Sequence, residues 1–119
     1  MNQNTRVALL LEDEPFIALD IEEQLEGAGF SVMTFPSCPE AGSWLDNHRP
    51  DLAIVDIMMR DGTSIEIASK LVAADIPFIV HSGDHPSMHK DTPFAQGIWV
   101  EKPCNSEDLV RAAEMLLGR

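Results

Sequence analysis

A chain of 119 residues, 45% hydrophobic and 24% charged, has the size and composition of one globular domain with one core. Its formal charge of −12 argues against phosphate-backbone binding by the domain as a whole, and no apolar run is long enough to span a bilayer. MNQNTR is followed by neither an h-region nor a small-residue cleavage site, so no secretory leader is expected; Cys38 and Cys104, without metal-ligand spacing, are expected as free thiols of a cytoplasmic protein.

Val7-Ala8-Leu9-Leu10-Leu11 predicts a buried strand running into Glu12-Asp13-Glu14-Pro15. Proline suits a first helical turn and acids suit a helix N-terminus, so a helix follows to about Ala28, with Ile17, Ile21, Leu25 and Ala28 on one stripe. Gly27 and Gly29 end it, and Phe30-Ser31-Val32-Met33-Thr34-Phe35 alternates as a strand does. Pro36-Ser37 opens a second helix, with Ala41, Trp44, Leu45 and His48 expected to face inward. Leu52-Ala53-Ile54-Val55 is an unbroken apolar run, the mark of a strand buried on both faces of a parallel sheet, and Asp56 sits where it runs out. After the loop Arg60-Asp61-Gly62-Thr63, Ile65, Ala68, Leu71 and Val72 share one helical face.

Pro77-Phe78-Ile79-Val80-His81 predicts a fourth strand, leading into Ser82-Gly83-Asp84. Residues 84–96 contain Pro86 and Pro93, so a helix there should be short or absent. Ile98-Trp99-Val100 is a brief fifth strand before Glu101-Lys102-Pro103, and Asn105 is expected to cap a last helix that buries Leu109, Ala112, Ala113 and Leu116. This alternation, without internal repeats, predicts an α/β fold: a doubly wound three-layer sandwich, one domain over residues 1–119.

If the sheet is parallel, Glu12, Asp13, Asp56, Ser82 and Lys102 lie along one edge, where open α/β sheets bind ligands. Clustered carboxylates repel and need a cation. Hard oxygen donors suit Mg²⁺, which keeps several waters and binds one or two carboxylates plus a phosphate. The Ser82 hydroxyl and Lys102 ammonium suit a phosphoryl oxygen, and Asp56 is the candidate nucleophile, forming an aspartyl phosphate. His81, His85 and His89 are read as one strand residue and two loop residues, not as a metal site.

VALLLEDEP, the acid in LAIVDIMM, VHSG after the fourth strand and EKP after the fifth resemble, in order, the receiver domain of two-component response regulators. The resemblance implies a flavodoxin-like (βα)5 fold with a parallel five-stranded sheet in the order 2-1-3-4-5. It implies that Asp56 takes a phosphoryl group from a histidine kinase or histidine phosphotransferase, as a signalling phosphoacceptor and not a classical enzyme. Asp13 would bind Mg²⁺ directly, Glu12 mainly through water, and Met58 through its backbone carbonyl. Ser82 would reorient toward the phosphoryl group, Lys102 would pair with it, and Trp99 would be the switch aromatic.

The run PFAQGIW, residues 93–99, resembles Pro-Phe-Ala-Thr-Gly-hydrophobic-Tyr of some stand-alone receivers, a subgroup with an altered or missing fourth helix. Gln96 occupies the place of the threonine assigned to switching there. Receivers usually carry Tyr, Phe or His where Trp99 stands, often a proline in place of Arg60, and often Ala in place of Gly83. Without an effector domain, output would pass to an unknown downstream protein, or the domain would serve as a phosphate sink; a homodimer through the last strand and helix is a separate expectation.

Three other readings compete. A flavodoxin-like cofactor binder wants a hydroxyl- and glycine-rich loop after the first strand, where this chain has three acids. A Mg²⁺-dependent phosphohydrolase using Asp56 wants an acid/base two residues on, where Met58 cannot transfer a proton. A receiver-like interaction scaffold that is never phosphorylated is disfavoured because every reacting group is retained.

Overall fold

The computed structural model describes residues 5–118; Arg119 and the leading MNQN, on which part of the leader reading rests, lie outside the described residues. In chain order, the described residues form β1 (Arg6–Leu11), α1 (Pro15–Gly27), β2 (Phe30–Phe35), α2 (Cys38–Leu45), β3 (Leu52–Val55), β4 (Met58–Met59), β5 (Gly62–Thr63), α3 (Ile65–Ala73), β6 (Phe78–Ser82), β7 (Ile98–Glu101) and α4 (Ser106–Leu116). The main sheet runs β2-β1-β3-β6-β7, every pair parallel. With the small antiparallel hairpin β4-β5 set aside, this is the expected order 2-1-3-4-5.

Alternate residues of the central strands point into opposite layers. Leu9, Leu11, Ala53, Val55, Phe78 and Val80 pack with α2 and α3, while Ala8, Leu10, Leu52, Ile54 and Ile79 pack with α1 and α4. All four residues of β3 are buried, as a strand covered on both faces must be.

Register places the site. Leu11 pairs with Val55, so Glu12 and Asp56 leave their strands at one level. Val55 pairs with Val80 and Ser82 with Glu101, which carries Ser82 and Lys102 to the same carboxyl edge.

The helices hold three corrections. Ile17 is 38% exposed because it lines an open cleft between α1 and the start of α4, beside Pro103 and Leu109, and Ala18 is buried with Ile21 and Leu25 instead. His48 lies beyond α2 and is exposed, its ring stacked on Trp44 at 4.7 Å, where it shields the indole instead of entering the core. Val72 is 41% exposed; Ile67, Ala68 and Leu71 make the buried face of α3. The cap of α4 differs as well: the Asn105 side chain makes no capping bond, and its carbonyl accepts from the Asp108 amide at 3.1 Å.

Between β6 and β7, where a helix is expected to be short or absent, the chain forms no α-helix but two 3₁₀ turns, Pro86–His89 and Pro93–Gln96, each started by its proline. Gly97 ends the second. A Cβ built there would lie 2.6 Å from the buried ring of Phe78 and 3.0 Å from Val80 Cγ2, so the backbone must pass without a side chain.

Candidate functional site

Each acid reaches the carboxyl edge for a local reason. Glu12 continues β1, its amide donating to the Phe35 carbonyl at 3.2 Å, and its carboxylate accepts from the Glu14 amide at 3.2 Å. Glu14 in turn caps α1, accepting from the Phe16 amide at 3.4 Å. Asp56 follows β3, its amide donating to the Leu11 carbonyl at 3.2 Å. Glu12, Asp13 and Asp56 each bring a carboxylate oxygen within 4.8 Å of the others, with Glu12 and Asp56 buried.

Lys102 answers this charge. Its Nζ donates to Asp56 Oδ2 at 2.8 Å and lies 3.8 Å from Glu12 Oε1. Burial pulls the Lys102 ammonium down, but the hydrogen bond and charge of Asp56, then Glu12 and Asp13, outweigh it and leave its pKa raised. Burial pushes the Glu12 carboxyl above its ordinary value; Lys102 and the Glu14 amide oppose the shift, while Asp56 and Asp13 add to it. One ammonium against three carboxylates leaves an excess of negative charge lined by hard oxygen donors, a donor set that fits Mg²⁺.

Ser82 is buried at the same edge. Its hydroxyl accepts from the Asp84 amide at 3.0 Å, and its carbonyl accepts from the Lys102 amide at 2.9 Å. Trp99 is half-buried, its indole N–H donating to the Asp84 carbonyl at 3.0 Å. Its rings stack at 5.8 Å with His89, whose Nε2 lies 2.9 Å from Asp84 Oδ2. Met58 opens β4 two residues past Asp56, with its side chain exposed. Gln96 stands apart: it is exposed beside Pro77 and Phe78, at the amino end of β6 and away from the acids.

Three features carry no signal in the sequence pattern. The Arg60 amide donates to Asp13 Oδ2 at 2.6 Å, fixing that carboxylate through main chain. The Ser64 hydroxyl donates to the Asp56 carbonyl. His81 is buried, with Nε2 3.4 Å from Cys104 Sγ and Nδ1 without a partner among the described residues. Burial first, then Lys102, lowers the His81 pKa to about 4 against the opposing pull of Asp56.

A family model for the response regulator receiver domain matches residues 8–114. Among curated relatives, the transcriptional regulatory protein PdtaR of Mycobacterium tuberculosis is 30% identical over 119 residues, covering 96% of this chain and 58% of that protein. The heme response regulator HssR of Staphylococcus saprophyticus is 28% identical, covering 93% and 51%. The chain thus spans about half the length of the curated relatives it matches.

Among solved structures, a response regulator receiver protein from Sinorhizobium medicae superposes with a TM-score of 0.86 at 26% identity, covering 98% of this chain and 97% of that one. The receiver domain of a sensor histidine kinase from Pseudomonas aeruginosa, solved with a magnesium ion coordinated in its active-site cleft, gives 0.82 at 19% identity and coverage of 97% and 99%. That second likeness speaks for the fold alone. With its sheet order, its edge of acids and a family match over nearly its whole length, the chain belongs to the response regulator receiver domain family.

Proposed function

We propose that the domain is a phosphoacceptor: Asp56 takes a phosphoryl group from a histidine kinase or histidine phosphotransferase in a Mg²⁺-dependent reaction, in the cytoplasm. The observation that carries this is the grouping of the Glu12, Asp13 and Asp56 carboxylates within 4.8 Å, with Lys102 Nζ 2.8 Å from Asp56. Asp13, Asp56 and the Met58 carbonyl would hold the ion, with Glu12 acting mainly through water. When bound, Mg²⁺ neutralises charge on the transferring phosphoryl group.

The rest falls to the chain's own residues. An Asp56 carboxylate oxygen forms the new O–P bond while the P–N bond of the donor phosphohistidine breaks, its electron pair returning to the imidazole nitrogen, which takes up a proton. Lys102 gives up its bond to the Asp56 carboxylate and pairs with a phosphoryl oxygen. Ser82 turns its hydroxyl from the Asp84 amide toward the same group. The disturbance then reaches Asp84, Trp99 and the two 3₁₀ turns, and output passes by protein contact through residues 84–96, β7 and α4. No helix among the described residues is long and apolar enough to cross a membrane.

Incubation with acetyl phosphate and Mg²⁺ followed by intact mass measurement tests the proposal. Wild type should gain one phosphoryl group and Asp56→Asn none. An unmodified wild type would sink it.

A further inference from the structure

We infer that Ser64 is a positioning residue for the phosphoacceptor, holding the Asp56 peptide in register with the carboxylates around it. The inference rests on the reading of Asp56 given above and concerns a residue eight positions further along the chain, outside the cluster of acids.

Ser64 occupies the N-cap of α3, where a serine ordinarily turns its side chain onto an amide of the first helical turn. Here it makes no capping bond. Its hydroxyl donates instead to the Asp56 carbonyl, and its own amide donates to the Ile57 carbonyl at 2.9 Å. Its carbonyl meanwhile accepts from the Ile67 and Ala68 amides at 3.0 and 3.1 Å, so the same residue starts the helix and grips the strand end.

Asp56 is therefore held from both sides: its amide by Leu11 of β1 and its carbonyl by Ser64. Ser64 is 1% exposed, so water does not compete for the bond, and removing the hydroxyl would leave a buried carbonyl without its partner. The segment between the two residues contains the β4-β5 hairpin, including Met58 and the Arg60 amide that holds Asp13. Together with the Ser64 amide on the Ile57 carbonyl, this hydroxyl closes the loop that presents the Met58 carbonyl and the Arg60 amide that holds Asp13. Displacements of about an ångström at a reacting group can slow a reaction by up to about a hundredfold, so this closure should be visible in rate.

The test compares wild type, Ser64→Ala, Ser64→Thr and, as a packing control on the buried face of α3, Ile67→Val. Four quantities are read: the phosphorylation rate at saturating acetyl phosphate, the half-saturating acetyl phosphate concentration, Mg²⁺ affinity from NMR titration, and the melting temperature. Ser64→Ala should lower the saturating rate about tenfold with little change in half-saturating acetyl phosphate, and weaken Mg²⁺ several-fold. Ser64→Thr, which keeps the hydroxyl, should retain most of the rate. Ile67→Val should lower the melting temperature while keeping rate and Mg²⁺ affinity.

A wild-type rate in Ser64→Ala overturns the inference, as does equal slowing by Ile67→Val or by Ser64→Thr. Should Ser64→Ala fail to fold, Ser64→Cys takes its place, and an unslowed cysteine variant counts against the idea in the same way. If wild type accepts no phosphoryl group, the reading of Asp56 fails separately. The Mg²⁺ arm then still decides on Ser64, since unchanged affinity in Ser64→Ala overturns its role.

Discussion

Lys102 donates to Asp56 across 46 positions of sequence, Nζ to Oδ2 at 2.8 Å, and the same ammonium lies 3.8 Å from Glu12. It occupies space among acids that a divalent cation would share. Lys102→Met should therefore bind Mg²⁺ a few-fold more tightly, by removal of a competing charge, yet accept phosphoryl groups at least about tenfold more slowly. Calorimetric Mg²⁺ titration and acetyl phosphate kinetics read the two effects. Losses in both would show that the lysine mainly supports the fold.

The Ser82 hydroxyl serves as acceptor for the Asp84 amide, and the Asp84 carbonyl is the acceptor for the Trp99 indole. If Ser82 turns to a phosphoryl oxygen, the Asp84 amide loses its partner. Addition of beryllofluoride with Mg²⁺ should speed amide exchange over residues 84–96 and shift Trp99 emission, read in a Trp44→Phe background. Unchanged protection across that segment would contradict the proposed route.

Met58 is 63% exposed two residues beyond Asp56 and offers water neither a proton acceptor nor a donor. Hydrolysis of the aspartyl phosphate should get little help from it. Met58→Asn should shorten the phosphorylated lifetime by a factor of about ten, less than the roughly hundredfold or more of a full general acid or base because an amide only orients the water. Decay followed by intact mass after removal of acetyl phosphate checks this, and an equal or longer lifetime refutes it.

His81 gives a stability prediction with a definite sign. Its folded pKa is lowered to about 4 from an ordinary 6.5, so the folded state favours the neutral ring. Above the ordinary value both states are neutral and nothing is lost. As pH falls from 6.5 toward 4 the unfolded chain binds the proton first, and stability drops by an amount on the order of 2 kcal/mol. His81→Gln should show a shallower decline than wild type in urea unfolding over that window. Parallel curves would show that His81 titrates normally.

The carboxyl edge was legible because strand ends announce themselves: Leu11 and Val55 close apolar runs, and the next residue of each is an acid. Parallel pairing then leaves little freedom in where Glu12, Asp56, Ser82 and Lys102 go. The fourth-helix region was legible for a different reason, since Pro86 and Pro93 exclude a long helix there.

What escaped depends on partners remote in sequence. The faces of α1 and α3 are set by what packs on them, so Ile17 and Val72 satisfy a helical period and still meet solvent. The strands of β4-β5 are two residues each, too short to show any alternation. The bond from Ser64 to Asp56 joins a side chain to main chain eight residues away, and Trp99 meets a carbonyl across two turns. No spacing rule reads either of them.

The ring of Phe78 fills the volume that any side chain at position 97 would require. That glycine is therefore dictated by a neighbour in the core, at the end of the sheet remote from Lys102 and the acids. The PFAQGIW segment is thus shaped by how the chain rounds a corner into β7.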